Sequence, residues 1–154
     1  MGRIEAKILA LLRKYSVVGI DTMGFIYHFE KNEDYLSFTK VLFSSIEAGT
    51  IKAVTSMITL LEILVKPKKE KNKRLVEEYK FLLHTFPNLK MLPFDEKTAD
   101  VASSLRAEYN IKTPDAIQVT SSILAGAKAF ITNEPSLKRI NEFDIIVMKE
   151  ILGI

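Results

Sequence analysis

VVGI, residues 17–20, is a short, partly β-branched apolar run, and Asp21 follows it directly. It is too brief for a helix and has no polar face, which fits a strand covered on both sides in a parallel sheet. Working outward, IKAVT (51–55), LKML (89–92), AFIT (129–132) and DIIVM (144–148) read as four more strands.

Helical spacing fills the intervals between these runs. Ile4, Ile8, Leu11, Leu12 and Tyr15 mark an opening amphipathic helix over about residues 3–15. Leu36, Phe38, Val41, Leu42 and Ile46 predict a second over Asp34–Ala48, closed by Gly49. Ser56 is a good N-cap for MITLLEILV, which Pro67 should stop, and a further helix is expected from about Lys69 to Phe86. Asp95 can cap a helix carrying Val101, Ala102, Leu105 and Tyr109 and ending at Asn110. Thr113 as N-cap, Pro114 in the first turn and Asp115 as an early acid open a last long helix, finishing near Gly126.

Strands that alternate with helices imply crossover connections, hence an α/β fold with a mostly parallel sheet of about five strands and helices on both faces. No linker, repeat or low-complexity stretch divides the chain, so residues 1–154 are expected to form one domain. In such sheets the working crevice lies beyond the carboxyl ends of the strands. Asp21 and Glu134 fall in that kind of place.

Composition narrows the chemistry. The chain is 47% apolar and 27% charged, with no cysteine and two histidines. Disulfides, zinc knuckles and cysteine nucleophiles are excluded, and a metal site would be built from oxygen ligands, favouring magnesium or manganese. The N-terminal MGRIEAKILALLRKYS has charges inside its apolar stretch, unlike a signal peptide, and no run approaches the roughly 18 apolar residues of a membrane span. A cytoplasmic location is expected. Six basic residues against one acid between Lys66 and Arg74 give a local +5, leaving the rest of a +3 chain at −2. Such a run serves either as a solvated helix start or as a patch for phosphates, through Lys66, Lys68, Lys69, Lys71, Lys73 and Arg74.

Each acid admits a plain structural reading. Asp21 can serve a turn as well as chemistry, and Met23 two positions on does not support an aspartyl-phosphate motif. Glu62 sits in a helix ringed by Met57, Ile58, Leu60, Leu61, Ile63, Leu64 and Val65, so it is expected to be largely buried and to need a cation or a basic partner. Asp115 suits the helix dipole, and Glu134 could open a short helix at TNEP. His28, His84 and the aromatic side chains read as structural.

Together the acids fit a recognisable order. VVGIDTMGFIYHFE, VTSMITLLEIL and, most specifically, TPDAIQVTSSILAGAKAFITNEPSLKRI resemble the strands, helices and acids of PIN-domain ribonucleases, from Val17 to Val147. The resemblance implies that Asp21, Glu62, Asp115 and Glu134 are catalytic and hold Mg²⁺ or Mn²⁺, supported by Thr22, Thr132 and Asn133. It implies hydrolysis of single-stranded RNA, and, as for many small members, a toxin with an antitoxin partner and a homodimeric state. Met23 stands where the family often has asparagine, Glu134 replaces a more usual aspartate, and the helix before Val17 is extra. These departures keep open an alternative: a PIN-like module, impaired in catalysis, that binds RNA or a protein partner.

Three carboxylates within about 4 Å would cost roughly 12 kcal/mol in mutual repulsion at an effective dielectric near 20. That rivals the whole stability of a typical domain, about 5–15 kcal/mol, so a cation or a shared proton is expected to relieve it.

Overall fold

A computed structural model describes residues 1–154. The chain runs α1 (Arg3–Leu12), β1 (Val17–Ile20), α2 (Thr22–Phe29), α3 (Leu36–Glu47), β2 (Lys52–Ser56), α4 (Met57–Lys69), α5 (Lys73–Thr85), β3 (Leu89–Leu92), α6 (Glu96–Tyr109), α7 (Thr113–Leu124), β4 (Ala129–Thr132), a 3₁₀ turn (Pro135–Arg139), β5 (Asp144–Val147) and α8 (Met148–Leu152).

All five strands are parallel, in the order β3-β2-β1-β4-β5. From β1 the chain winds outward through β2 to β3, then returns to the other side of β1 for β4 and β5. The direction reverses between β1 and β4, so a crevice opens there at the carboxyl ends of the strands.

Alternate strand residues face opposite layers. Val18, Ile20, Ala129 and Ile131 join the larger core with Ile8, Leu12, Phe25, Phe38 and Leu42 from α1–α3. Phe130 points the other way, into a second core with Ala102, Leu105, Ala116 and Val119 from α6 and α7. Gly19 also faces that side. A Cβ added there would lie 1.8 Å from Ser122 Oγ and 3.0 Å from Phe130, so its bare backbone lets α7 close onto the sheet.

Several boundaries differ from the expectation for physical reasons. The segment after Asp21 is helical: TMGFIYHF carries no clear period, but the Asp21 side chain accepts from the Thr22 amide and starts α2. Pro67 does not stop α4, which continues to Lys69. A proline in the last turn forfeits a single amide donor, and Asn72 N donates to the Pro67 carbonyl at 2.8 Å just past the helix end. Asn72 caps α5, which therefore begins at Lys73, not Lys69. Lys112 rather than Thr113 is the N-cap of α7, with no side-chain cap bond. Gly49, at φ +80°, lies just past the end of α3 as expected.

Candidate active site

Asp21 leaves β1 and is pinned from both sides. Its Oδ1 accepts from Thr22 N at 2.8 Å and its Oδ2 from Thr132 Oγ1 at 2.8 Å. Burial pushes its pKa up to about 6, helped by the negative fields of Asp115 and Glu62 and opposed by those two hydrogen bonds. As an anion it lacks a compensating positive charge.

Glu62 corrects the sequence reading. Only Thr59, Ile63, Leu64 and Pro67 of α4 are buried, while Leu61 is 62% exposed and Val65 44%. Glu62 is exposed, and its partner is neither a base nor the core: Thr22 Oγ1 donates to its Oε1 at 2.6 Å.

Asp115 is the third residue of α7, and its carboxylate takes no hydrogen bond from a protein donor. Burial raises its pKa, Glu134 and Glu62 add to the rise, and Lys112 opposes it. Glu134 lies at the exposed margin. It caps the 3₁₀ turn through Ser136, whose amide donates to its Oε1 at 3.2 Å and holds its pKa down.

All four acids line one cleft of about 470 Å³, together with Thr22, Met23, Tyr27, Gln118 and Asn133. They do not converge as tightly as three carboxylates within about 4 Å would. No three acidic or histidine side chains are close enough to cage one ion between them. The reason is visible in the hydrogen bonds: Asp21, Glu62 and Glu134 are each held towards a protein donor. The donor set is nonetheless all hard oxygen, with a buried anion at its centre and a neighbouring carboxylate lacking protein partners. That suits a cation such as magnesium, which accepts one or two carboxylates and keeps several waters.

Thr132 and Thr22 hold acids directly. Asn133 instead donates to the hydroxyls of Tyr27 and Tyr35, at 3.1 and 2.8 Å, and accepts from Lys149 N. The two tyrosine rings stack at 3.9 Å with nearly parallel planes, and Tyr27 of this pair lines the cleft. Asn133 lies 106 and 98 positions from Tyr27 and Tyr35, and nothing in the sequence signals such a joint. Gln118 was also missed, though a lone amide three residues after Asp115 on an apolar helix was a signal. His28 stacks on Phe43 away from the cleft. The basic run spans the end of α4, a turn and the start of α5 rather than one helix start, and is exposed throughout apart from Pro67.

The chain belongs to the PIN domain family, whose model matches residues 18–142, beginning inside β1. Proteins of this family are typically nucleases and generally use divalent metal ions. Among solved structures, the fold is similar to a chain of a toxin–antitoxin complex from Klebsiella pneumoniae, with 22% identity, 86% of this chain and 98% of that chain covered and a TM-score of 0.65. It is similar also to a chain of VapBC2 from Rickettsia felis bound to a DNA fragment of its promoter, with 19% identity, 84% and 96% covered and a TM-score of 0.66. A chain of FitAcB from Neisseria gonorrhoeae aligns at 16% identity over 86% and 97% of the two chains, with a TM-score of 0.62. No curated protein matches the chain in sequence.

Proposed function

We propose that this chain is a Mg²⁺- or Mn²⁺-dependent endoribonuclease that hydrolyses phosphodiester bonds of single-stranded RNA. The observation that carries the reading is the shared cleft of Asp21, Glu62, Asp115 and Glu134 at the β1–β4 reversal, with a buried aspartate at its centre.

Asp21 and Asp115 would be the main ligands, Glu62 would ligate or orient a water, and Glu134 would complete the shell through water. The chemistry supplied by a bound divalent cation is activation of water and neutralisation of charge developing at the scissile phosphate. Asp21 is ionised above about pH 6 and so can hold positive charge at neutral pH. Glu62 keeps Oε2 without a protein donor while Oε1 is tied to Thr22. Lys68, Lys69, Lys71, Lys73 and Arg74 would grip flanking phosphates without reading bases. Lys66 is ion-paired with Glu30 at 3.2 Å, which lessens its availability.

The same reading makes the protein the toxin of a toxin–antitoxin pair, acting in the cytoplasm as a homodimer over one domain, residues 1–154, with α1 as an addition. Its support is twofold. Similar folds occur in toxin–antitoxin complexes, and Met57, Leu61 and Phe94 expose apolar surface beside α4, as a protein-binding face would. No helix is long and apolar enough to cross a membrane.

A second reading, a PIN-like module that binds RNA or a protein without cleaving, is favoured by Met23 in the cleft and by the absence of a ready three-acid cage. The test is incubation of purified protein with single-stranded RNA in Mn²⁺ or Mg²⁺, with and without EDTA. Chelator-sensitive cleavage supports the nuclease. Salt-sensitive retention of intact RNA supports the module.

A further inference from the structure

We propose that Gln118 is a positioning residue that sets Glu62 in place through the hydroxyl of Thr22. The claim deepens the nuclease reading and rests on it for its consequence, but the hydrogen-bond chain stands on geometry alone.

Gln118 lies on α7 three residues after Asp115, so both project from one side of the helix towards the cleft. It is 1% exposed, and Thr22, Thr55 and Thr59 around it are 4%, 1% and 0% exposed. Its Nε2 donates to Thr22 Oγ1 at 3.0 Å and to Thr59 Oγ1 at 2.8 Å, while its Oε1 accepts from Ser56 N at 3.3 Å.

The proton direction in this network is fixed at both ends. An amide nitrogen only donates, whereas a carboxylate and a backbone carbonyl only accept. Thr22 receives from Gln118, so its single hydroxyl proton goes to Glu62 Oε1 at 2.6 Å. Thr59 likewise receives from Gln118 and passes its proton to Thr55 at 2.7 Å, and Thr55 donates to the Ile20 carbonyl at 2.8 Å. Two chains thus leave one amide. One ends on Glu62, and the other ends on the residue before Asp21.

The consequence is specific to Glu62. It is exposed and receives this one protein hydrogen bond. Without the Gln118 donors, the Thr22 oxygen loses the partner that pins its side chain, the hydroxyl can rotate away, and Glu62 is released to solvent. Gln118 also joins the three segments that carry Asp21, Glu62 and Asp115, so one buried side chain sets their spacing.

The test combines a spectroscopic and a binding measurement on the full chain. In the wild type, NMR should find a slowly exchanging Thr22 hydroxyl proton with an Overhauser contact to the Glu62 side chain. Gln118→Met, similar in size but without donors, should lose that contact while keeping the folded amide spectrum. Its Mn²⁺ dissociation constant should rise about tenfold, as is usual when a partner that orients a ligand is removed. Adding Gln118→Met to Glu62→Gln should then change Mn²⁺ affinity no further. Should Gln118→Met fail to fold, Thr22→Val should lose affinity and Thr22→Ser should recover it. A freely exchanging Thr22 hydroxyl in the wild type overturns the proposal without any variant, as does an equal loss of affinity in the Glu62→Gln background. A wild type that binds no Mn²⁺ overturns the metal reading of the cleft, and the hydroxyl measurement still decides the role of Gln118.

Discussion

Thr132 Oγ1 donates to Asp21 Oδ2 at 2.8 Å, joining the end of β4 to the end of β1 across 111 residues of sequence. This bond lies where the winding of the sheet reverses, and it holds a carboxylate whose pKa burial nevertheless raises to about 6. The structure thus keeps a buried carboxylate in the lining of its cleft.

Asp21 should therefore make the metal-free protein less stable at neutral pH. Its folded pKa of about 6 lies above the ordinary 3.8, so the native state binds more protons in that window. The stability it contributes is fully present below about pH 4 and is lost as pH rises through about 6. The difference between these two values corresponds to about 3 kcal/mol. Asp21→Asn should be more stable than wild type by about 1–3 kcal/mol at pH 7.5 without metal, the difference fading towards pH 4. Chemical denaturation at both pH values checks this, and a variant less stable throughout would contradict it.

Millimolar Mn²⁺ or Mg²⁺ should raise the melting temperature of the wild type, because binding to the native state stabilises it by mass action and relieves the buried charge. Asp21→Asn should lose the gain. Equal shifts in both proteins, read by calorimetry, would place the cation elsewhere.

Gly19→Ala should destabilise the fold by about 1–3 kcal/mol, since the new methyl group would collide with Ser122 and push α7 from the sheet. Gly19→Ala combined with Ser122→Gly should recover part of the loss in urea unfolding. No recovery would mean that α7 is not the element displaced.

The architecture was legible because strands buried on both faces read as plain apolar runs, and the glycine and polar caps around them read as ends. VVGI, AFIT and the Asp95 cap needed no tertiary knowledge. Properties set by neighbours were less accessible. Apolar Leu61 and Val65 suggested a buried α4, yet only one side of that helix meets the core, and so Glu62 is exposed. The four acids were identifiable as candidates from their positions after strands and at helix starts. Tyr27 and Tyr35 depend on contacts with the distant Asn133, and nothing local distinguishes them from core residues. The lone amide of Gln118 on an apolar helix is a local signal, whereas its partners are not.

Cleavage of single-stranded RNA by wild type and Asp115→Asn, each with and without EDTA, tests the central claim most directly. Asp115 takes no hydrogen bond from the protein and caps nothing, so asparagine preserves its size while removing the charge that would hold a cation. Wild type should cleave slowly with Mn²⁺ or Mg²⁺ and stop in EDTA, whereas Asp115→Asn should be inactive with an unchanged fold. Cleavage by both proteins in the presence of EDTA would contradict the account.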